Sequence, residues 1–274
     1  SFAYYGEDNR IEYYELKDKK IKQLADAMAY QVERHYELRG WTFKKFWEIV
    51  TLPYSSQKIC PSEKYVKQPA LRRNCSGVLV SKKHLLTAGN CITDHYCKND
   101  LYYWMFDYNL KNPDTFSVMR PRKNFYKCHK VVKRVYDPAA GKSYALIELK
   151  KEVKDRTPVV MNMTDELGTQ DELIVLGHMR GLPLKIDHGA KVIEKYDDIF
   201  TANTDITGRL TLGAGVFNKK SLKLEGIMVH GTMGYTENSG GCLEEDRNLN
   251  DESFESIFMS KSVKGQSNVW PANI

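Results

Sequence analysis

One stretch limits what this chain can fold into more than any other: Asn74-Cys75-Ser76-Gly77-Val78-Leu79-Val80-Ser81-Lys82-Lys83-His84-Leu85-Leu86-Thr87-Ala88-Gly89-Asn90-Cys91. Two short apolar runs, 78–80 and 84–87, flank a polar Ser-Lys-Lys turn, which is the pattern of a β-hairpin. A hairpin folds its ends back together. Cys75 and Cys91, sixteen residues apart, therefore come within bridging distance.

The rest of the chain keeps the same rhythm. Strand-like segments lie at 101–107, 130–136 and 143–149. After Arg156 they recur at 173–177, 184–186, 191–193, 215–217, 224–229 and 256–259. Short strands at this spacing, broken by turn residues, predict an all-β chain of two β-barrel halves joined near 151–158. With 274 residues and 42% apolar content, the chain can bury cores for both. Residues 1–58 are read as an N-terminal extension packed on the barrels, 59–155 as the first barrel, and 156–274 as the second barrel and C-terminal segment. Within the extension, Ile11-Glu12-Tyr13-Tyr14-Glu15-Leu16 reads as a strand. The spacing of Ile21, Leu24, Ala25, Met28 and Val32 predicts one helix over about 17–33.

Charge and cysteine content exclude several classes. The net charge of +6 comes from 41 basic and 35 acidic residues spread along the chain, with no dense basic block interleaved with aromatics. No nucleic-acid partner is expected. No apolar run approaches the length of a membrane-spanning helix. Six cysteines without a Cys-x-x-Cys pair, and no histidine pair at metal spacing, point to disulfides rather than zinc. No metal or other cofactor is expected. Cys97 and Cys128 flank two strand-like segments of the first half and are placed as a pair. Cys60 and Cys242 are left to join the halves, although other pairings stay open on sequence alone. Such a disulfide set, on a chain starting at Ser1 without a signal peptide, fits a secreted or periplasmic protein.

The hairpin also carries a resemblance. Cys-Ser-Gly, strand, turn, strand, then Thr87-Ala88-Gly89-Asn90-Cys91 resembles the first disulfide loop of the chymotrypsin/trypsin-like serine proteases, which ends Thr-Ala-Gly-His-Cys. Ser143-Tyr144-Ala145-Leu146-Ile147-Glu148-Leu149 is similar to that family's Asp-x-Ala-Leu-Ile-x-Leu strand. Leu210-Thr211-Leu212-Gly213-Ala214-Gly215-Val216-Phe217-Asn218 is similar to its nucleophile loop, Gly-Asn-Ser-Gly-x-Pro-Val-Phe-Asn. Gly177-His178 with Gly181-Leu182-Pro183-Leu184-Lys185-Ile186, and the opening Tyr-Gly-x-Asp-Asn-Arg, resemble the secreted bacterial, glutamyl-endopeptidase-like branch. The resemblance spans about 60–263. It implies a trypsin-like double β-barrel with a peptide-binding cleft between the barrels.

What the resemblance does not carry over is the chemistry. Acyl transfer in this family needs a hydroxyl nucleophile, an imidazole base and a carboxylate that orients it. The matching positions are Leu212, Asn90 and Ser143. An isobutyl group cannot attack, an amide cannot take up a proton near neutral pH, and a serine carries no charge. The glycine that helps form the oxyanion hole is matched by Leu210. Thr211, Ser239, Asp94, His84, His95, His178, His188 and His230 are read as surface or hydrogen-bonded residues, not as a rebuilt triad. The expectation is a pseudoprotease, not an enzyme, that recognises a protein or peptide at the former substrate cleft. Two alternatives stand beside it: a structural scaffold using the outer surface, and a serine-type hydrolase with relocated residues. Asn74-Cys75-Ser76 and Asn162-Met163-Thr164 match the glycosylation pattern and are read as chance matches.

Overall fold

The computed structural model describes residues 4–5, 7–40, 45–72, 74–114, 116–164, 166–206, 211–231, 234–248, 255–259 and 262. The lead segment holds β1 (Arg10–Glu12), α1 (Lys19–Asp26) and β2 (Met28–Glu33). The first half continues with β3 (Ser76–Ser81), β4 (His84–Thr87), α2 (Asp94–Lys98), β5 (Tyr102–Phe106), β6 (Phe125–Asp137) and β7 (Lys142–Leu149). The second half holds β8 (Leu173–Gly177), β9 (Lys185–Asp187), β10 (Val192–Lys195), β11 (Ile199–Ala202), β12 (Gly215–Asn218), β13 (Leu224–His230) and β14 (Glu255–Met259).

Six strands close a barrel in the order β5-β6-β7-β4-β3-β2. The hairpin is present as read, with Val78 opposite Leu86 and Leu79 opposite Leu85. The second half is a barrel-like sheet of eight strands in the order β10-β11-β14-β13-β12-β8-β9-β1. Trp104, Phe106, Tyr144 and Leu79 are buried in one apolar core, and Val175, Phe200, Val216 and Met228 in another. All three disulfides join the expected partners, Cys75–Cys91, Cys97–Cys128 and Cys60–Cys242.

The lead segment corrects the sequence reading in two ways. The helix stops at Asp26, and Met28–Glu33 is a strand. Met28, Tyr30 and Val32 are all buried, so the same residues that fit a helical face also fit the two-residue period of a strand. Pairing decides between them: β2 pairs with both β5 and β3, and without it the barrel would not close. Asp18 starts the helix, its Oδ1 accepting from the Lys20 N–H at 2.7 Å. The segment is also woven into the molecule rather than laid over it, because β1 pairs with β9 while β2 belongs to the barrel.

Buried charge fastens β1. The Arg10 guanidinium has no exposed surface and reaches Asp8 at 2.8 Å and Glu245 at 2.7 Å. Burial works to raise the Asp8 pKa, but the Arg10 hydrogen bonds and charge prevail and hold it at about 2. Two strand positions further, Lys185 meets Glu12 at 2.9 Å and Gln68 at 2.7 Å.

Candidate functional site

The three positions matched to catalytic residues meet at one cleft of about 950 Å³. Each is delivered by a different local device. Asn90 follows β4, after a backbone clamped at Gly89. The Gly89 N–H donates to Ser143 Oγ at 2.9 Å, and Arg134 Nε donates to the Gly89 carbonyl at 2.6 Å. A β-carbon at position 89 would lie 2.0 Å from the Val135 carbonyl oxygen, so only glycine fits. Asn90 itself is exposed. Ser143, at the start of β7, is 5% exposed, and its hydroxyl holds the loop that carries Asn90.

Leu212 sits half-buried in the loop before β12. The Ser76 N–H donates to the Leu212 carbonyl at 2.9 Å, and the Gly213 N–H to the Met228 carbonyl at 2.8 Å. Gly213 has φ +80°, and a β-carbon there would lie 2.0 Å from the Ser76 carbonyl oxygen. The left-handed turn at 213 thus lays the Leu212 segment against β3 of the first barrel. Leu210 lies outside the described residues.

The rest of the lining is Asn74, Cys75, Tyr136, the loop 138–141, Ile199, Val229, His230 and Gly231. None of these carries an Asp, Glu, Lys or Arg side chain, so among the described residues the cleft lacks a carboxylate to orient a base. His230 is the histidine in the lining and is exposed.

The other histidines weighed from the sequence lie elsewhere. His178 is buried with Nδ1 3.0 Å from Ser76 Oγ, its ring stacked on Tyr108 and tilted against Tyr30. Burial pushes its pKa down to about 3, so it is neutral at physiological pH. His84 Nδ1 lies 2.7 Å from Ser81 Oγ across the hairpin turn, and burial lowers its pKa too. His95 pairs with Asn99 on α2, and His188 is exposed on a turn after β9. Thr211 is fully buried, and Ser239 belongs to the turn where the Gly240 N–H donates to Asn238. Both Ser–His contacts described here are structural, and neither lines the cleft.

Sequence reasoning missed the second role of Ser143, as an acceptor for the Gly89 N–H. It also missed the Ser76–His178 contact between the halves. Both serines stand in the quoted motifs, but a motif shows what a side chain replaces, not what it binds. The two glycosylation-pattern asparagines are engaged as well. Asn74 Nδ2 donates to Glu37 at 3.0 Å and Asn162 Nδ2 to Glu225 at 2.9 Å. A second cavity, of about 710 Å³, adjoins Asn162 and Glu225 and is lined mostly by polar side chains. Among the described residues, no group of His, Cys, Asp and Glu is arranged to hold a metal ion. Among those residues, no helix is long and apolar enough to cross a membrane.

Comparison with known proteins bears on the fold. Residues 56–185 match the family model Trypsin. The fold is trypsin-like. The solved structure of the Vibrio cholerae VesB protease superposes with a TM-score of 0.57 at 12% identity, over 94% of this chain and 65% of that one. The trypsin-like chain thus spans about two thirds of the length of that protease. Rv3671c protease from M. tuberculosis, in an inactive form, matches at 11% identity over 90% of each chain, with a TM-score of 0.49. No curated protein matches the trypsin-like sequence.

Proposed function

We propose that this trypsin-like chain is a pseudoprotease that recognises a protein or extended peptide at the cleft between its halves and does not cleave it. The observation that carries this reading is the meeting of Asn90, Ser143 and Leu212 in one cleft. An amide, a neutral hydroxyl already serving the backbone, and an isobutyl group occupy the places where a base, a carboxylate and a nucleophile would act. The open volume of about 950 Å³ favours recognition over a pure scaffold, which would fill its cleft. A hydrolase with relocated residues would need a hydroxyl and an imidazole in contact beside open space, and neither described Ser–His contact lines the cleft. The motif at 177–186 supports the secreted bacterial, glutamyl-endopeptidase-like branch. Three disulfides support a secreted or periplasmic location.

The test is affinity capture from the native compartment with the wild-type chain and with Leu212→Asp. Burying Leu212 under a partner contributes about 1.5–3 kcal/mol. The aspartate variant should therefore bind at least about tenfold more weakly. A partner whose affinity ignores the aspartate would move the binding surface away from the cleft.

A further inference from the structure

The lysines that look scattered in the sequence gather at one end of the first barrel. Strand β6 contributes Lys127, Lys130 and Lys133. Three residues apart in a regular strand, they would point alternately to opposite faces. Two register shifts change this. Cys128 faces Leu149 but Lys130 faces Glu148, and Val131 faces Ile147 but Lys133 faces Leu146. Each shift inserts one extra residue, at His129 and at Val132, so all three lysines come to the same face. The face of β6 that would alternate is therefore a cationic ridge.

Neighbouring segments extend the ridge. Glu148 is shared by Lys83 at 2.8 Å and Lys130 at 3.1 Å, and Asp100 by Lys127 at 2.8 Å and Lys150 at 3.0 Å. Each carboxylate offsets only half of the charge it meets. The Val153 N–H donates to the Lys82 carbonyl at 2.7 Å, which brings the hairpin turn beside the exposed run Lys150-Lys151-Glu152 and Lys154. Eight lysines stand here against Asp100, Glu148 and Glu152, a net of +5 in a chain whose total is +6. Lysines on an exposed strand also prevent edge-to-edge association. That role does not require extra cations from the hairpin turn and from 150–154.

We propose that this ridge is a binding surface for a sulfated polysaccharide. The choice among polyanions follows from what the ridge contains. It is built from lysines, compact point charges suited to sulfates arrayed along a flexible polymer. Of the exposed large apolar side chains among the described residues, Tyr136 alone shares β6 with ridge lysines, and it stands at the cleft end of the strand, so the ridge itself has nothing to insert into a bilayer. Nor does it present exposed aromatic rings for stacking on nucleic-acid bases. The three disulfides fit an oxidising compartment, where acidic polysaccharides are found and nucleic acids are scarce. Lys127 and Lys130 lie toward the opposite end of β6 from Tyr136, and no ridge lysine lines the cleft, so both surfaces can be occupied together.

The experiment measures binding of heparin, hyaluronan, duplex DNA and phosphatidylserine vesicles to the whole chain near physiological salt. Heparin should bind, the unsulfated hyaluronan much more weakly, and added salt should release it. Changing Lys82, Lys133, Lys151 and Lys154 together to Gln should weaken heparin binding about tenfold or more, since each exposed pair adds a modest share. Changing Lys19, Lys20, Lys58 and Lys191 to Gln removes the same charge elsewhere and should have little effect. Lysine acetylation with and without heparin gives a second reading on the unmutated chain: the ridge lysines should be protected and the control lysines should not. An equal loss in the two quadruple variants, protection spread evenly over all lysines, or tighter binding to DNA or vesicles than to heparin would overturn the proposal.

Discussion

Single residues decide how the cleft is shaped. Gly213 combines a left-handed backbone with a carbonyl oxygen 2.0 Å from where a β-carbon would stand. Gly213→Ala should cost more than about 2 kcal/mol, read as a fall in the denaturant midpoint. A cost near zero would mean that the 211–214 turn is not held against Ser76. His178 gives a pH signature. Its folded pKa of about 3 lies below the ordinary value of 6.5. Both states are neutral above 6.5, and below it the unfolded chain takes up a proton that the fold refuses. Stability is therefore lost as pH falls from about 6.5 toward 3, at up to about 1.4 kcal/mol per pH unit. Denaturation at a series of pH values should show this slope reduced in His178→Gln, and an unchanged slope would contradict the buried neutral imidazole. At this scale the sequence shows Asn90, Ser143 and Leu212 as departures from a pattern. It does not show that Ser143 holds the Gly89 N–H, because that bond joins residues 54 positions apart.

Elements show where local reading ends. The β3–β4 hairpin was legible because its turn, its two apolar runs and its cysteines all lie within eighteen residues. The strand β2 was not, since Met28 and Val32 satisfy helix and strand periods alike and only its partners β5 and β3 decide. The buried anchoring of β1 was hidden for the same reason: Arg10 and Glu245 meet across 235 residues. Glu245→Ala would remove one of the two carboxylates that meet the buried guanidinium. The expected loss is about 3–5 kcal/mol, measured by thermal or chemical denaturation. Gln keeps the volume of the side chain and a carbonyl acceptor for the guanidinium, and Asp8 still compensates part of the charge, so Glu245→Gln should lose less. A loss near zero in Glu245→Gln would show that packing, not charge, is what Glu245 supplies.

At the scale of the whole molecule, the fold and the disulfides were readable because cysteine spacing and strand rhythm are properties of the chain's order. The lysine ridge was not, because its members are spread over more than seventy residues and two bulges align them. The central claim is that a trypsin-like cleft here recognises without cutting. The most direct measurement is turnover of casein and of activated esters by the purified chain, with a fluorophosphonate probe reporting any reactive serine. The wild type and Leu212→Ser should both stay at background with no serine adduct, since triad members act as a unit and a lone hydroxyl lacks its base. Turnover that co-purifies with the wild-type chain and is abolished by the fluorophosphonate would contradict the account.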